Sequence, residues 1–128
     1  MNREIQLFLG VEVVIFLIAA LTHFEILFDG YADRGAAIAE SVIGVVLIAG
    51  LIVASVRPAW ARTVGIVVQA FALLGTFVGL ALLIAVGPGT LLDVTFHLVM
   101  ALVLITGLMV AIRARSPGAT GFRGGRNG

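Results

Sequence analysis

Four ionisable side chains stand inside long apolar runs of this chain: Glu12, His23, Glu40 and His97. A charged group at membrane depth costs on the order of 2.5–3.5 kcal/mol even on insertion scales. Each of the four therefore needs a partner or a purpose. Two imidazoles and a carboxylate are a plausible ligand set for zinc, iron or copper. Two histidines on different helices could ligate a haem. A His–Glu pair could hold a quinone or another small polar headgroup and exchange its proton. The plainest alternative is an interhelical hydrogen bond that fixes packing. No His-x-x-x-His spacing favours the metal reading, so the metal remains unknown.

The elements that must position these residues are four apolar runs, Ile5–Phe28, Ala36–Val56, Val64–Val86 and Leu91–Ile112. Each is long enough to cross a hydrocarbon core as a helix, which takes about 20 residues. The chain is 61% hydrophobic, against roughly 45–50% for a soluble domain. The expected fold is therefore all-α. It is a polytopic membrane protein, a four-transmembrane-helix antiparallel bundle over residues 1–115. No soluble catalytic domain fits, and no catalytic residue is assigned. The first run is too long for a signal peptide and carries Glu12, so it reads as a span. There is no cysteine, which excludes disulfides and thiolate ligands. Residues 116–128, rich in Gly and Arg, read as a disordered cytoplasmic tail.

All eight basic residues are arginines. Arg3, Arg57, Arg62, Arg113, Arg115, Arg123 and Arg126 fall at one end of the expected bundle and only Arg34 at the other. The positive-inside rule puts both termini in the cytoplasm of a bacterial or archaeal inner membrane. The lipid bilayer is one expected partner. A membrane redox-complex subunit or a second copy is another, and nucleic acid is not expected. Pro58, Pro88 and Pro117 lie in connections or the tail, so no broken-helix transport site is signalled.

An internal repeat adds geometry. A shift of 57 residues lays Glu40–Ala54 (ESVIGVVLIAGLIVA) on His97–Ala111 (HLVMALVLITGLMVA), with eight of fifteen positions identical. The expected architecture is two parallel helical hairpins related by an axis along the membrane normal. The shift pairs Glu40 with His97 and Glu12 with Gln69. Two tiers follow. His23, Glu40 and His97 should converge in the outer half of the bundle, with Asp93 on the same face as His97. Glu12 and Gln69 should form an inner polar pair. Gly75-x-x-x-Gly79 is a small-residue packing motif, expected inside the bundle.

The stretch Ala37–Pro58 resembles the second-helix region of the DoxX-like family of small four-helix membrane proteins. The residues are Ala39-Glu40, Gly44, Leu47, Gly50-Leu51 and Arg57-Pro58, with Leu9-Gly10 and Thr22-His23-Phe24 loosely similar to the first helix. The resemblance implies a four-helix bundle and, for some members, association with quinone-linked oxidoreductases. The family's basic residue soon after the first helix's Gly is replaced here by an acidic loop. Small multidrug exporters also have four helices and a first-helix glutamate, but the single orientation and the edge position of Trp60 argue against them.

Three functions are expected from these residues. The first is a non-catalytic accessory module binding a small hydrophobic or quinone-like ligand, or a partner subunit, at His23, Glu40, His97 and Asp93. The second is a small proton-coupled transporter using Glu12 or Glu40. The third is a bis-His haem or metal-binding electron carrier.

Overall fold

A computed structural model of the chain describes residues 2–86 and 90–114. It contains four long helices: α1 (Asn2–His23), α2 (Arg34–Val56), α3 (Ala61–Val86) and α4 (Leu91–Arg113). A single 3-10 turn, Pro58–Trp60, leads into α3. All four helices are long and apolar enough to cross a membrane. At 22 to 26 residues each, they extend about 33–39 Å at about 1.5 Å per residue. The expected tail, residues 116–128, lies outside the described residues.

The packing inverts the pattern of a soluble bundle. Large apolar side chains such as Leu7, Leu74, Ile84 and Leu102 face outward and are exposed. The interior is rich in small residues, including Ala19, Ala37, Ala54, Ala61, Ala72, Ala101 and Ala111. That is the solution lipid imposes: apolar surface gains nothing by turning inward, so close backbone approach drives association. Gly50 is one such approach. A Cβ there would stand 2.7 Å and 2.9 Å from the two γ-methyls of Val68. Gly75 likewise abuts Ile43, and Gly79 faces His97. The Gly75-x-x-x-Gly79 motif is spent inside the bundle.

α1 packs mainly on α2, and α3 on α4, with α2–α3 and α1–α4 contacts joining the pairs. Hydrogen bonds tie the helix ends. Asn2 Nδ2 donates to the Pro58 carbonyl at 3.1 Å and Gln6 Nε2 to the Ala54 carbonyl at 3.0 Å. Arg62 Nη2 donates to the Ile112 carbonyl at 3.3 Å.

The first helix differs most from its apolar run. It begins before Ile5 and stops at His23, five residues short of Phe28. Glu25 takes a left-handed φ of 57°. The amides of Glu25 and Ile26 then bond back to the carbonyls of Thr22 and Leu21, at 2.9 Å each. This is a Schellman stop with glutamate where glycine is usual. The Glu25 carboxylate accepts the Gly30 amide at 2.9 Å, which ties the turn together. Phe24, Ile26, Leu27 and Phe28 are left exposed on the connecting segment. Apolar residues do not extend a helix whose backbone has already turned.

Candidate functional site

The inner tier is a direct contact. Gln69 Nε2 on α3 donates to Glu12 Oε1 on α1 at 2.9 Å. Glu12 is 1% exposed and Gln69 fully buried. Helix α4 closes over them at Gly107, whose absent side chain leaves the space that the two polar heads fill. A Cβ there would collide with Gln69 Nε2 and Glu12 Oε1 and press on Phe8. The remaining oxygens, Glu12 Oε2 and Gln69 Oε1, are buried with no hydrogen-bond partner.

The outer tier assembles only in part. His23 Nε2, at the last residue of α1, approaches Glu40 Oε1 on α2 at 3.5 Å. That is within ion-pair distance, yet neither Glu40 oxygen has a hydrogen bond. The contact is electrostatic proximity rather than a directed bond, since N–H···O bonds run about 2.7–3.2 Å. Glu40 is only 5% exposed. The other ring nitrogen, His23 Nδ1, lies 3.1 Å from the Tyr31 carbonyl. The segment after α1 therefore folds back and orients the imidazole, aided by the Asp33 amide donating to the His23 carbonyl at 3.2 Å.

His97 and Asp93 make their own contacts on α4. The close approach of Glu40 is to His23, one of its expected partners, and no ion pair or hydrogen bond joins it to His97 among the described residues. His97 Nδ1 lies 2.9 Å from the backbone carbonyl of Asp93, one turn earlier on α4. Its Nε2 faces α3, 3.5 Å from where a Gly79 side chain would begin. The Asp93 carboxylate does not turn to the imidazole. It accepts the Thr90 amide at 3.1 Å and the Thr90 hydroxyl at 2.6 Å, while the Asp93 amide donates to Thr90 Oγ1. This capping box starts α4. Its sequence signal, Thr90-x-x-Asp93, is legible without a structure. Tyr31 acts only through its backbone carbonyl, so no side-chain pattern reveals its part in the site.

Among the described residues, no group of three or more histidine, aspartate or glutamate side chains comes together in a way that could hold a metal ion. The chemistry available at the outer tier is acceptance and exchange of hydrogen-bond protons by an imidazole and a carboxylate in apolar surroundings. The chain matches no family model, and neither curated proteins nor solved structures yield a similar protein.

Proposed function

We propose that this protein is an accessory membrane module that holds a small amphipathic ligand, quinone-like in its polar headgroup, at His23 and Glu40. One observation carries the reading: Glu40 is almost wholly buried, both its oxygens lack hydrogen bonds, and an imidazole stands 3.5 Å away. Packing alone favours satisfied polar groups, because a buried unpaired acceptor costs about 1–3 kcal/mol. An occupant that hydrogen-bonds the pair removes that cost. The resemblance of Ala37–Pro58 to the DoxX-like second helix points the same way, toward a quinone-linked membrane complex.

The test is native mass spectrometry of the full chain released from its own membrane in lipid nanodiscs. The expected result is a bound amphiphile retained by the wild type and lost in Glu40→Gln and His23→Asn. Wild-type protein without any adduct beyond bulk lipid would overturn the reading. Proton flux in liposomes, abolished by Glu12→Gln, would instead favour the small-transporter alternative, for which the unpartnered Glu12 Oε2 is the motivating feature.

The architecture proposed with this function is an antiparallel bundle of two hairpin repeats. The ties from Asn2 to Pro58 and from Arg62 to Ile112 support the antiparallel order within each hairpin. The burial pattern supports the repeat. The buried residues of α4 are His97, Met100, Ala101, Leu104, Gly107 and Ala111. Shifted back by 57, they fall on Glu40, Ile43, Gly44, Leu47, Gly50 and Ala54, all buried in α2. The Gln69–Glu12 bond itself spans 57 residues. Two equivalent residues can touch each other only near a symmetry axis. α1 and α3 agree less cleanly: Ile5, Leu9 and Phe16 match buried Ala61, Gly65 and Ala72 at a shift of 56.

Orientation follows from the arginines, with both termini in the cytoplasm of a bacterial or archaeal inner membrane. Cysteines at Asp29 and Leu91 should both react with an impermeant reagent added outside. Reaction from the cytoplasmic side only would reverse the topology.

A further inference from the structure

We infer that Glu12 binds a structural proton: its Oε2 carries hydrogen and donates to Gln69 Oε1, closing a two-bond acid–amide ring between α1 and α3. The proton is then part of the fold, and its release at alkaline pH weakens the bundle. The inference is independent of the ligand reading at His23 and Glu40.

Four polar atoms meet at the inner tier, and the bond between Gln69 Nε2 and Glu12 Oε1, at 2.9 Å, uses two of them. The other two, Glu12 Oε2 and Gln69 Oε1, are buried without a partner. With Glu12 ionised, both of these oxygens are acceptors and cannot bond each other. A carboxyl that holds its proton is a donor as well. Hydrogen on Oε2 therefore turns the two unpartnered atoms into a matched donor and acceptor. The covalent frame suits the match, because Nε2 and Oε1 of Gln69 share a carbon, as do the two oxygens of Glu12. Both atoms of the existing bond lie against Gly107 on α4. The unpartnered oxygens form the other edges of the same two heads, and rotation about soft terminal torsions lines those edges up. Glu12 and Gln69 are also 57 residues apart, the shift that lays Glu40–Ala54 on His97–Ala111. A ring of two antiparallel bonds is nearly twofold in form, which suits two equivalent positions where they meet.

Among the described residues, the fold brings Oε2 neither another donor nor a counter-charge. The buried polar side chains besides this pair are Glu40, Thr76 and His97. Thr76 donates to the Ala72 carbonyl at 2.9 Å, and it stands seven residues beyond Gln69 on α3, about 10 Å along the helix. Glu40 and His97, with His23, belong to the outer tier. Toward the inner end the charged groups are Arg3 and Glu4 on α1, Arg57 after α2, Arg62 on α3 and Arg113 on α4. Arg3, Glu4, Arg57 and Arg113 are exposed, and Arg62 donates to the Ile112 carbonyl. None of them makes an ion pair with Glu12. A carboxylate at this place is a buried charge without a partner, which is costly. The neutral acid avoids that cost and satisfies both heads.

The experiment compares the full wild-type chain with Glu12→Gln. That variant can close the same ring through two amides, so it should fold as the wild type does at neutral pH. Its failure to fold would overturn the inference. In nanodiscs at neutral pH, the infrared difference between the two should contain a protonated-carboxyl C=O band from the wild type. A difference holding only carboxylate bands overturns the proton. Gln69→Leu should move the acid band to higher frequency, because the acid loses its partner. An unmoved band overturns the ring. If Gln69→Leu does not fold, a wild-type band at the position of an unbonded acid does so. Reversible unfolding in mixed micelles gives the pH dependence. A fold that holds one proton more than the unfolded chain loses stability as pH rises above the usual carboxyl range. Relative to Glu12→Gln, the wild-type unfolding constant should rise about tenfold per pH unit from mildly acidic to mildly alkaline pH. Both proteins keep His23 and His97, so their titration cancels in the comparison. Parallel pH profiles overturn the inference.

Discussion

The two tiers of this bundle present the same problem and answer it differently. Each buries a glutamate between helices, Glu12 at 1% exposure and Glu40 at 5%. Glu12 meets a side-chain amide, which donates at 2.9 Å, and a glycine from a third helix closes over the contact. Glu40 meets an imidazole whose Nδ1 is turned to the Tyr31 carbonyl, and its Nε2 stays 3.5 Å away. Burial and residue type are therefore poor guides to whether a polar group is structural. What separates the tiers is a directed bond: the inner carboxyl accepts one built into the fold, and neither oxygen of the outer one takes part in any.

That contrast breaks most readily at Gln69. Replacing it with leucine removes the donor that holds Glu12 and leaves a buried carboxyl, so stability should fall by about 1–3 kcal/mol. Reversible unfolding in mixed micelles measures the loss. The double replacement Glu12→Leu with Gln69→Leu should recover most of it, because removing both partners costs far less than stranding one. A neutral Gln69→Leu single variant would mean that the inner pair is not structural.

The glycines sharpen the comparison with a smaller expected effect. Gly107→Ala inserts a methyl where Glu12 and Gln69 already sit, an overpacking that costs about 1–3 kcal/mol. We place it below Gln69→Leu, because the two flexible polar heads can yield in part. At Gly79 the added carbon meets His97 Nε2 at 3.5 Å, an ordinary contact. Gly79→Ala should therefore stay within about 0.5 kcal/mol of the wild type. Equal losses at the two glycines would erase the distinction between a closed inner tier and an open outer one.

The outer tier itself should be nearly silent in stability. Removing the carboxylate in Glu40→Leu deletes acceptors that hold no hydrogen bond, so unfolding should shift by less than about 1 kcal/mol or move toward greater stability. A loss as large as that of Gln69→Leu would make the outer cluster packing glue. The smallest effect is expected at the turn that orients His23. Glu25→Gly relieves a left-handed backbone worth about 1–2 kcal/mol and gives up the bond to the Gly30 amide, worth about 1 kcal/mol. The two nearly cancel, and amide exchange at Ile26 and Gly30 would report any residual change.

Much of this was legible in the residues. Four apolar runs of about 20 residues announce four helices, since a helix satisfies the backbone of such a run within the segment itself. The repeat shift put Glu12 beside Gln69, and the structure brings them together. Helix three's glycine motif was expected inside and lies inside. The end of α1 was not legible, because hydropathy continues through Phe28 while the backbone turns at Glu25. Asp93 was grouped with His97 by its four-residue spacing, although Thr90 three residues earlier marked it as a cap.

The sequence by itself determined the number of helices, the position of each polar residue along its helix, and that Glu12, Glu40, Gln69 and His97 turn inward. These follow from composition and from a rise per residue that is nearly constant. Only the tertiary structure decided that Glu40 approaches His23 to 3.5 Å while no ion pair or hydrogen bond joins it to His97 among the described residues, and that both histidines turn Nδ1 to backbone carbonyls. Helical periodicity fixes height and face, but each helix of a four-helix bundle has more than one neighbour at a given height. Rotation of a helix by part of a turn changes the partner without changing the depth. That choice depends on how Val68, Ile43 and Phe8 fit against Gly50, Gly75 and Gly107, and close packing of this kind is settled only when all four helices are in place.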